Sequence, residues 1–172
     1  MVEISVTVQD QDGLITLNYD DLLKYTGPAN PIAAALVLRL CAYAFAHLSP
    51  EEAVWRRELY WQVGFPGPGI LDCIEMVSHA VREGRCLQNP TLRHAGAPWS
   101  LGGQFVFDIG YRGKILRLWP DESVFDDTFR REVARWQDTE DAGREEYLRY
   151  KAEKVAMILQ LKDSVLFHHQ WR

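Results

Sequence analysis

The segment NPIAAALVLRLCAYAFAH, residues 30–47, decides the fold of this chain. Asn30 and Pro31 make a strong helix start, because Asn caps free amide groups and Pro at the first helical position loses no hydrogen bond. The residues that follow are apolar almost all round, and Arg39 is the one charge among them. A helix of this kind is normally central and covered on most sides. We therefore expect a buried helix over residues 31–47.

Length and composition describe an ordinary globular protein. The chain has 172 residues, of which 47% are hydrophobic and 25% charged, and a net charge of −5. This length fits a single domain over 1–172 that buries enough surface to fold without a disulfide or a metal. The acidic balance argues against nucleic acid or an acidic membrane as the main partner.

The cysteines and the apolar segments indicate in which cellular compartment the protein is expected. The three cysteines are odd in number and form no CxxC pair, which argues against a disulfide framework. The first residues carry no basic, apolar leader. The longest apolar stretch, residues 32–46, is shorter than the roughly 20 residues that span a bilayer. We expect a cytoplasmic protein without a membrane segment.

Strand and helix patterns do not alternate strictly along the chain, which predicts an α+β fold rather than a doubly wound one. The expected arrangement is a mixed or antiparallel sheet packed on the buried central helix. Residues 1–18 form N-terminal strands, 19–124 the core and 125–172 a C-terminal helical extension. The expected strands are 2–8, 14–17, 58–63, 104–109 and 115–119, of which the last two form a hairpin. Besides the central helix, a short helix through Leu22, Leu23 and Tyr25 is expected, capped by Asn18 or Asp20. Further expected helices are a short one after the capping-box pattern at Ser49, then 70–82, 124–136 and 139–161, the last capped by Thr139.

The loop GFPGPG, residues 64–69, precedes the expected helix 70–82. Backbone amides at a helix N-terminus suit an anion. The spacing is neither a P-loop nor GxGxxG, so a stiff connection between strand and helix is the alternative interpretation.

Other candidate groups are isolated. Cys73 and His79 are six positions apart on one predicted helix and therefore point in roughly opposite directions. Asp72 is explained equally by favourable charge in a first helical turn. His168 and His169 are adjacent, so on a strand they face opposite sides and do not share a metal, and an exposed tail is the alternative.

Several segments together resemble the FmdE-like family of formylmethanofuran dehydrogenase components. The family has Asp-Leu-x-x-Phe/Tyr, then His-Gly-His-x-Cys-Pro-Gly, then a long apolar helix. The matching residues here are 21–25 (DLLKY), 26–32 (TGPANPI) and 33–46. Later matches are LDCI at 71–74, FVFD at 105–108, RGKIL at 112–116 and the charged tail 129–167.

The resemblance, over about residues 19–167, implies an α+β domain similar to the catalytic domain of glyceraldehyde-phosphate dehydrogenase, usually dimeric. Many members also carry a C-terminal zinc ribbon, which this chain lacks because it has no CxxC motif. At the family's three metal-ligand positions stand Thr26, Pro28 and Asn30, which are poor ligands for a transition ion. Gly27 and Pro31 keep the loop shape. The resemblance thus implies a member whose metal site has been lost, and we predict no metal and no cofactor.

Three hypotheses follow for function. The first is a homodimeric binding or accessory protein without catalysis, which holds a small anionic ligand among Tyr25, Thr26, Gly27, Asn30, Asp72 and Cys73. The second is an enzyme with a relocated site, in which Cys73 acts as nucleophile or metal ligand with a lowered thiol pKa and Asp72 assists. The third is a structural component of a redox complex, favoured by the chain's many aromatic residues.

Overall fold

The structure is a computed structural model that describes residues 3–137 and 144–172. Val2 and Thr139, which the sequence places in the first strand and at the cap of the last long helix, lie outside the described residues. In chain order the elements are β1 (Ser5–Asp10), β2 (Gly13–Asn18), α1 (Tyr19–Thr26), α2 (Pro31–Leu48), β3 (Val54–Trp55), β4 (Tyr60–Val63), α3 (Pro68–Ser78), β5 (Cys86–Gln88), β6 (Trp99–Ser100), β7 (Gly103–Gln104), β8 (Phe107–Tyr111), β9 (Lys114–Pro120), α4 (Asp127–Trp136), α5 (Arg144–Gln160), α6 (Asp163–Leu166) and β10 (Phe167–Trp171). A short 3-10 turn, Arg56–Glu58, joins β3 to β4.

The main sheet has five strands in the order β10-β9-β8-β4-β5. Neighbours are antiparallel except β4 and β5, which run parallel. A second sheet, β2-β1-β3, joins the antiparallel N-terminal hairpin to a short parallel strand. Helices and mixed sheets in one fold confirm the predicted α+β class.

Helix α2 is the centre of the core, as its composition predicts. It begins at Pro31, and most of its residues from Ala34 to Leu48 are buried. They share one apolar cluster with the inner face of the main sheet, including Phe107, Ile109 and Leu118. The helix is long and apolar enough to cross a membrane, but 61% of it is buried inside the domain, as in the core helix of a soluble protein.

The outer face of the main sheet is covered at one end by the chain between β5 and β7. A small separate cluster forms there from Leu92, Ala97, Val106 and Trp119. The ring of His94 stacks on that of Trp119 with centroids 3.7 Å apart. This segment therefore closes over the sheet although it holds little regular structure.

Two predictions of local structure are wrong. No helix begins at Ser49, because its hydroxyl donates to the carbonyl of Glu52 and closes a turn that leads into β3. The predicted helix 70–82 starts earlier, at Pro68, and ends at Ser78, because His79 adopts a left-handed conformation with φ 57°. The predicted hairpin is confirmed as β8 and β9.

The described residues of the segment 125–172 pack against the core. Ile158 and Leu166 are fully buried in the main cluster, and β10 adds an edge strand to the main sheet. Arg39, 5% exposed on α2, donates to the carbonyls of Ile158 and Leu161 at 2.6 Å each. The single charge of the apolar segment thus caps the end of α5.

Candidate ligand-binding site

Three of the predicted site residues meet at the start of α2. The Asn30 amide donates to the Thr26 hydroxyl at 3.1 Å, and that hydroxyl donates to the Asp72 carboxylate at 2.9 Å. The Asn30 side chain therefore turns away from the helix it precedes and makes no cap hydrogen bond. The group ties α1, α2 and α3 together.

The other predicted residues do not join this group. Tyr25 is 51% exposed, and Gly27 ends α1 with φ 92°, a conformation that favours glycine. Cys73 is fully buried, and burial, with a smaller contribution from Asp72, raises the pKa of its thiol to about 12. The expectation of a lowered thiol pKa is therefore wrong, because the side chain points into the core rather than toward the helix N-terminus.

The N-termini of α2 and α3 lie against each other. A Cβ atom added to Gly69 would stand 2.7 Å from the Cβ of Asn30 and 2.9 Å from that of Ala33. Each helix starts with Pro and has no side-chain cap. The amide groups of the two first turns therefore lack intrahelical acceptors and leave partial positive charge at this junction.

A cleft of about 160 Å³, the α2–α3 cleft, opens beside this junction. Its floor is formed by first-turn residues of both helices, including Ile32, Ala33, Gly69 and Ile70. Its walls are apolar side chains from the core and from α4: Leu36, Phe65, Phe105, Phe129 and Val133. Cavities of about 150 Å³ with apolar walls accommodate a benzene molecule, so the volume suits a ligand group of that size.

Lys151 supplies the positive charge of the cleft. The residue is 8% exposed; its Nζ lies 3.2 Å from the Ala29 carbonyl oxygen and 4.6 Å from the centre of the Tyr147 ring. Burial, with a smaller contribution from Arg144, lowers the pKa of the ammonium group. No carboxylate pairs with Lys151 among the described residues. A buried cation without a carboxylate partner favours an anion at this position.

A larger cavity of about 590 Å³ adjoins the cleft and shares Ala29, Asn30, Tyr147 and Lys151 with it. Arg144 and Leu148, on the same helix as Tyr147 and Lys151, also line it. Within the described ranges, neither cavity is lined by Asp or Glu. Lys151 and Arg144 are the charged side chains among the described residues that line the two cavities.

The sequence predicted Asn30 at one end of this site but did not predict Lys151 at the other. Asn30 lines the cleft, as predicted from the helix start, and the glycine-rich loop contributes Gly67 and Gly69. Lys151 was missed, although it stands one turn before Val155 on the buried face of α5. A lysine at an apolar position of an amphipathic helix was the available signal.

Thr26, Pro28 and Asn30, which the resemblance compares with metal ligands, do not fit a transition ion. The Thr26 hydroxyl accepts from the Asn30 amide and donates to the Asp72 carboxylate, and Pro28 has no side-chain donor atom. Among residues 3–137 and 144–172, no three His, Cys, Asp or Glu side chains form a metal-binding group. No protein-family model matches the chain, and no curated protein matches it either.

Proposed function

We propose that the chain is a binding protein for a small carboxylate whose apolar body is about the size of a benzene ring. The carboxylate would meet the Lys151 ammonium group and the first-turn amides of α2 and α3, while the body fills the α2–α3 cleft. The single observation that carries this proposal is Lys151, a cation that is 8% exposed and lines a cavity with apolar walls together with the first turns of two helices that have no side-chain cap.

The walls of the cleft explain why an amphiphilic ligand is favoured over a free ion. Phe65, Phe105 and Phe129 offer no hydrogen bonds, so water inside the cleft gains little there and an apolar group displaces it readily. The charged end of the ligand then lies where the cleft meets the larger cavity, because Lys151 lines both of them.

Binding rather than catalysis is proposed because the Lys151 ammonium group donates to the Ala29 carbonyl, a contact that holds it as a cation rather than as a nucleophile. The enzymatic alternative depends on Cys73, whose thiol is fully buried with a pKa raised to about 12. That geometry gives the alternative no support.

Calorimetric titration with phenylacetate, phenylacetamide and inorganic phosphate tests the proposal. Phenylacetate is expected to bind, and phenylacetamide, which has the same body without the charge, at least about tenfold more weakly. Phosphate binding more tightly than phenylacetate would show that the apolar walls contribute nothing and would contradict the proposed ligand class.

Substitution supplies a matched comparison. Lys151→Met keeps the length of the side chain and removes its charge, so phenylacetate affinity should fall at least about tenfold. Lys162→Met, at an exposed position outside the cleft, should leave affinity unchanged. Equal affinity in both variants would overturn the assignment of Lys151, and the amide probe tests the same point on the unaltered chain.

Wider expectations from the sequence stay predictions. They are a place in the FmdE-like family without its metal site, a homodimer, a cytoplasmic location and, as the third hypothesis, a structural role in a redox complex. Light scattering on the purified chain measures the oligomeric state directly, and a stable partner that purifies with it would favour the structural role.

A further inference from the structure

Two histidines that are far apart in the sequence meet at the end of α2 remote from the cleft. His47 lies in the last turn of α2, and His169 lies on the edge strand β10. Their ring centroids are 4.7 Å apart. Since α2 rises 1.5 Å per residue, about 25 Å of helix separates this imidazole pair from Asn30 and the α2–α3 cleft.

Hydrogen bonds fix which nitrogen of His47 is free. Its Nδ1 lies 2.8 Å from the Tyr43 carbonyl oxygen. A carbonyl oxygen only accepts, so Nδ1 of His47 carries the proton and Nε2 holds the lone pair. Histidine ligands of metals are typically oriented by such a bond from the other ring nitrogen to a backbone carbonyl.

His169 is also hydrogen-bonded to Tyr43. Its Nδ1 lies 2.5 Å from the Tyr43 hydroxyl, which leaves Nε2 as its available nitrogen. Among the described residues, no hydrogen bond engages Nε2 of either histidine. The Tyr43 ring packs against both imidazoles, with centroids at 4.4 and 5.6 Å, and against the buried ring of Phe167. Tyr43 therefore restrains both rings of the pair.

The spacing of the rings suits a shared ion. Two imidazoles that bind one ion through bonds of about 2.0–2.1 Å have ring centroids about 4.5–5.2 Å apart at ligand angles of about 90–110°. The observed 4.7 Å falls inside that interval. His168, by contrast, points to the other face, where its Nε2 meets the Asp121 carboxylate at 2.7 Å.

We propose that Nε2 of His47 and Nε2 of His169 bind one divalent transition ion of the Zn²⁺ or Cu²⁺ class. Imidazole nitrogen suits these ions. No third His, Cys, Asp or Glu completes the group in the part of the chain that is described, so water fills the remaining positions. Bound metal would fasten β10 to α2, because each element supplies one ligand.

Titration of the untagged full-length chain, first stripped with a chelator, tests the proposal with Zn²⁺ in a calorimeter. One ion per chain is expected. His47→Gln and His169→Gln should each weaken binding at least about tenfold. His168→Gln is the matched control, because it removes an imidazole from the same strand but from the opposite face, and it should leave binding unchanged.

Electron paramagnetic resonance of the Cu²⁺-loaded chain gives a second readout that needs no substitution. Two imidazole nitrogens on the copper are expected. A spectrum with one nitrogen or none, unchanged Zn²⁺ affinity in His47→Gln and His169→Gln, or an equal loss in His168→Gln would overturn the proposal.

Discussion

The ammonium group of Lys151 on α5 donates a 3.2 Å hydrogen bond to the carbonyl of Ala29, two residues before α2 begins. The two residues are 122 positions apart in the sequence. This contact places the only strongly buried lysine among the described residues beside the N-termini of both α2 and α3. The proposed carboxylate site depends on that placement.

The pH dependence of phenylacetate binding should follow Lys151. Its pKa is lowered below the ordinary 10.5 by burial and by Arg144. The ammonium form attracts the carboxylate below that pKa, so affinity is present at neutral pH and is lost as the pH rises through it. Calorimetry from about pH 6 to about pH 10 measures the loss.

Lys151→Arg provides the control for this pH profile. A guanidinium group stays charged throughout the range, so any affinity that the variant retains should not fall at alkaline pH. A profile in Lys151→Arg that matches the unaltered chain would assign the titration to another group.

Gly69 should tolerate no side chain. A Cβ atom there would stand 2.7 and 2.9 Å from the Cβ atoms of Asn30 and Ala33, which their own helix holds in place. Gly69→Ala is expected to lower the free energy of unfolding by about 1–3 kcal/mol. Gly13→Ala, where nothing lies within 4 Å, should change it by less than about 0.5 kcal/mol. Urea denaturation compares the two, and equal stabilities would contradict the close approach of α2 and α3.

Arg39 should contribute far more to the free energy of unfolding than Asp163, its ion-pair partner. Its buried guanidinium donates to the carbonyls of Ile158 and Leu161 and to the Asp163 carboxylate, which is 62% exposed. Arg39→Met leaves the carbonyls without a donor and is expected to cost about 3 kcal/mol of unfolding free energy. Asp163→Asn should cost less than about 1 kcal/mol, because exposed charges contribute little. Thermal or urea unfolding that ranks the two variants in the opposite order would refute this role.

Cys73 should be inert in the native protein. Burial raises the pKa of its thiol to about 12, and that of the half-buried Cys86 to about 11, so neither is a thiolate at neutral pH. Labelling with a thiol reagent near neutral pH should therefore be slow in the folded chain and fast in urea, with Cys86 modified before Cys73. Rapid native labelling of Cys73 would restore the thiol-dependent enzyme as a candidate.

Local signals predicted much of the secondary structure. Asn18 caps α1, Pro31 opens α2, and the turn at Arg112 and Gly113 joins β8 to β9, because each depends on residues a few positions apart. The helix predicted after Ser49 is wrong, because the pattern of a capping box also fits a turn. The chain turns there and continues into β3, which pairs with β1. The C-terminal tail became β10 because the open edge of β9 offered it partners.

The sequence by itself determined that a long apolar helix would be buried and that its start, after Asn30, would carry partial positive charge, because periodicity and the free amides of a first turn are local properties. Only the tertiary structure decided that Lys151 lies beside that start, that Cys73 faces the core and that His47 meets His169. Lys151 reaches Ala29 across 122 positions, and the histidine pair depends on a bond between Tyr43 and His169 across 126. Packing, rather than any local pattern, brings residues so far apart into contact.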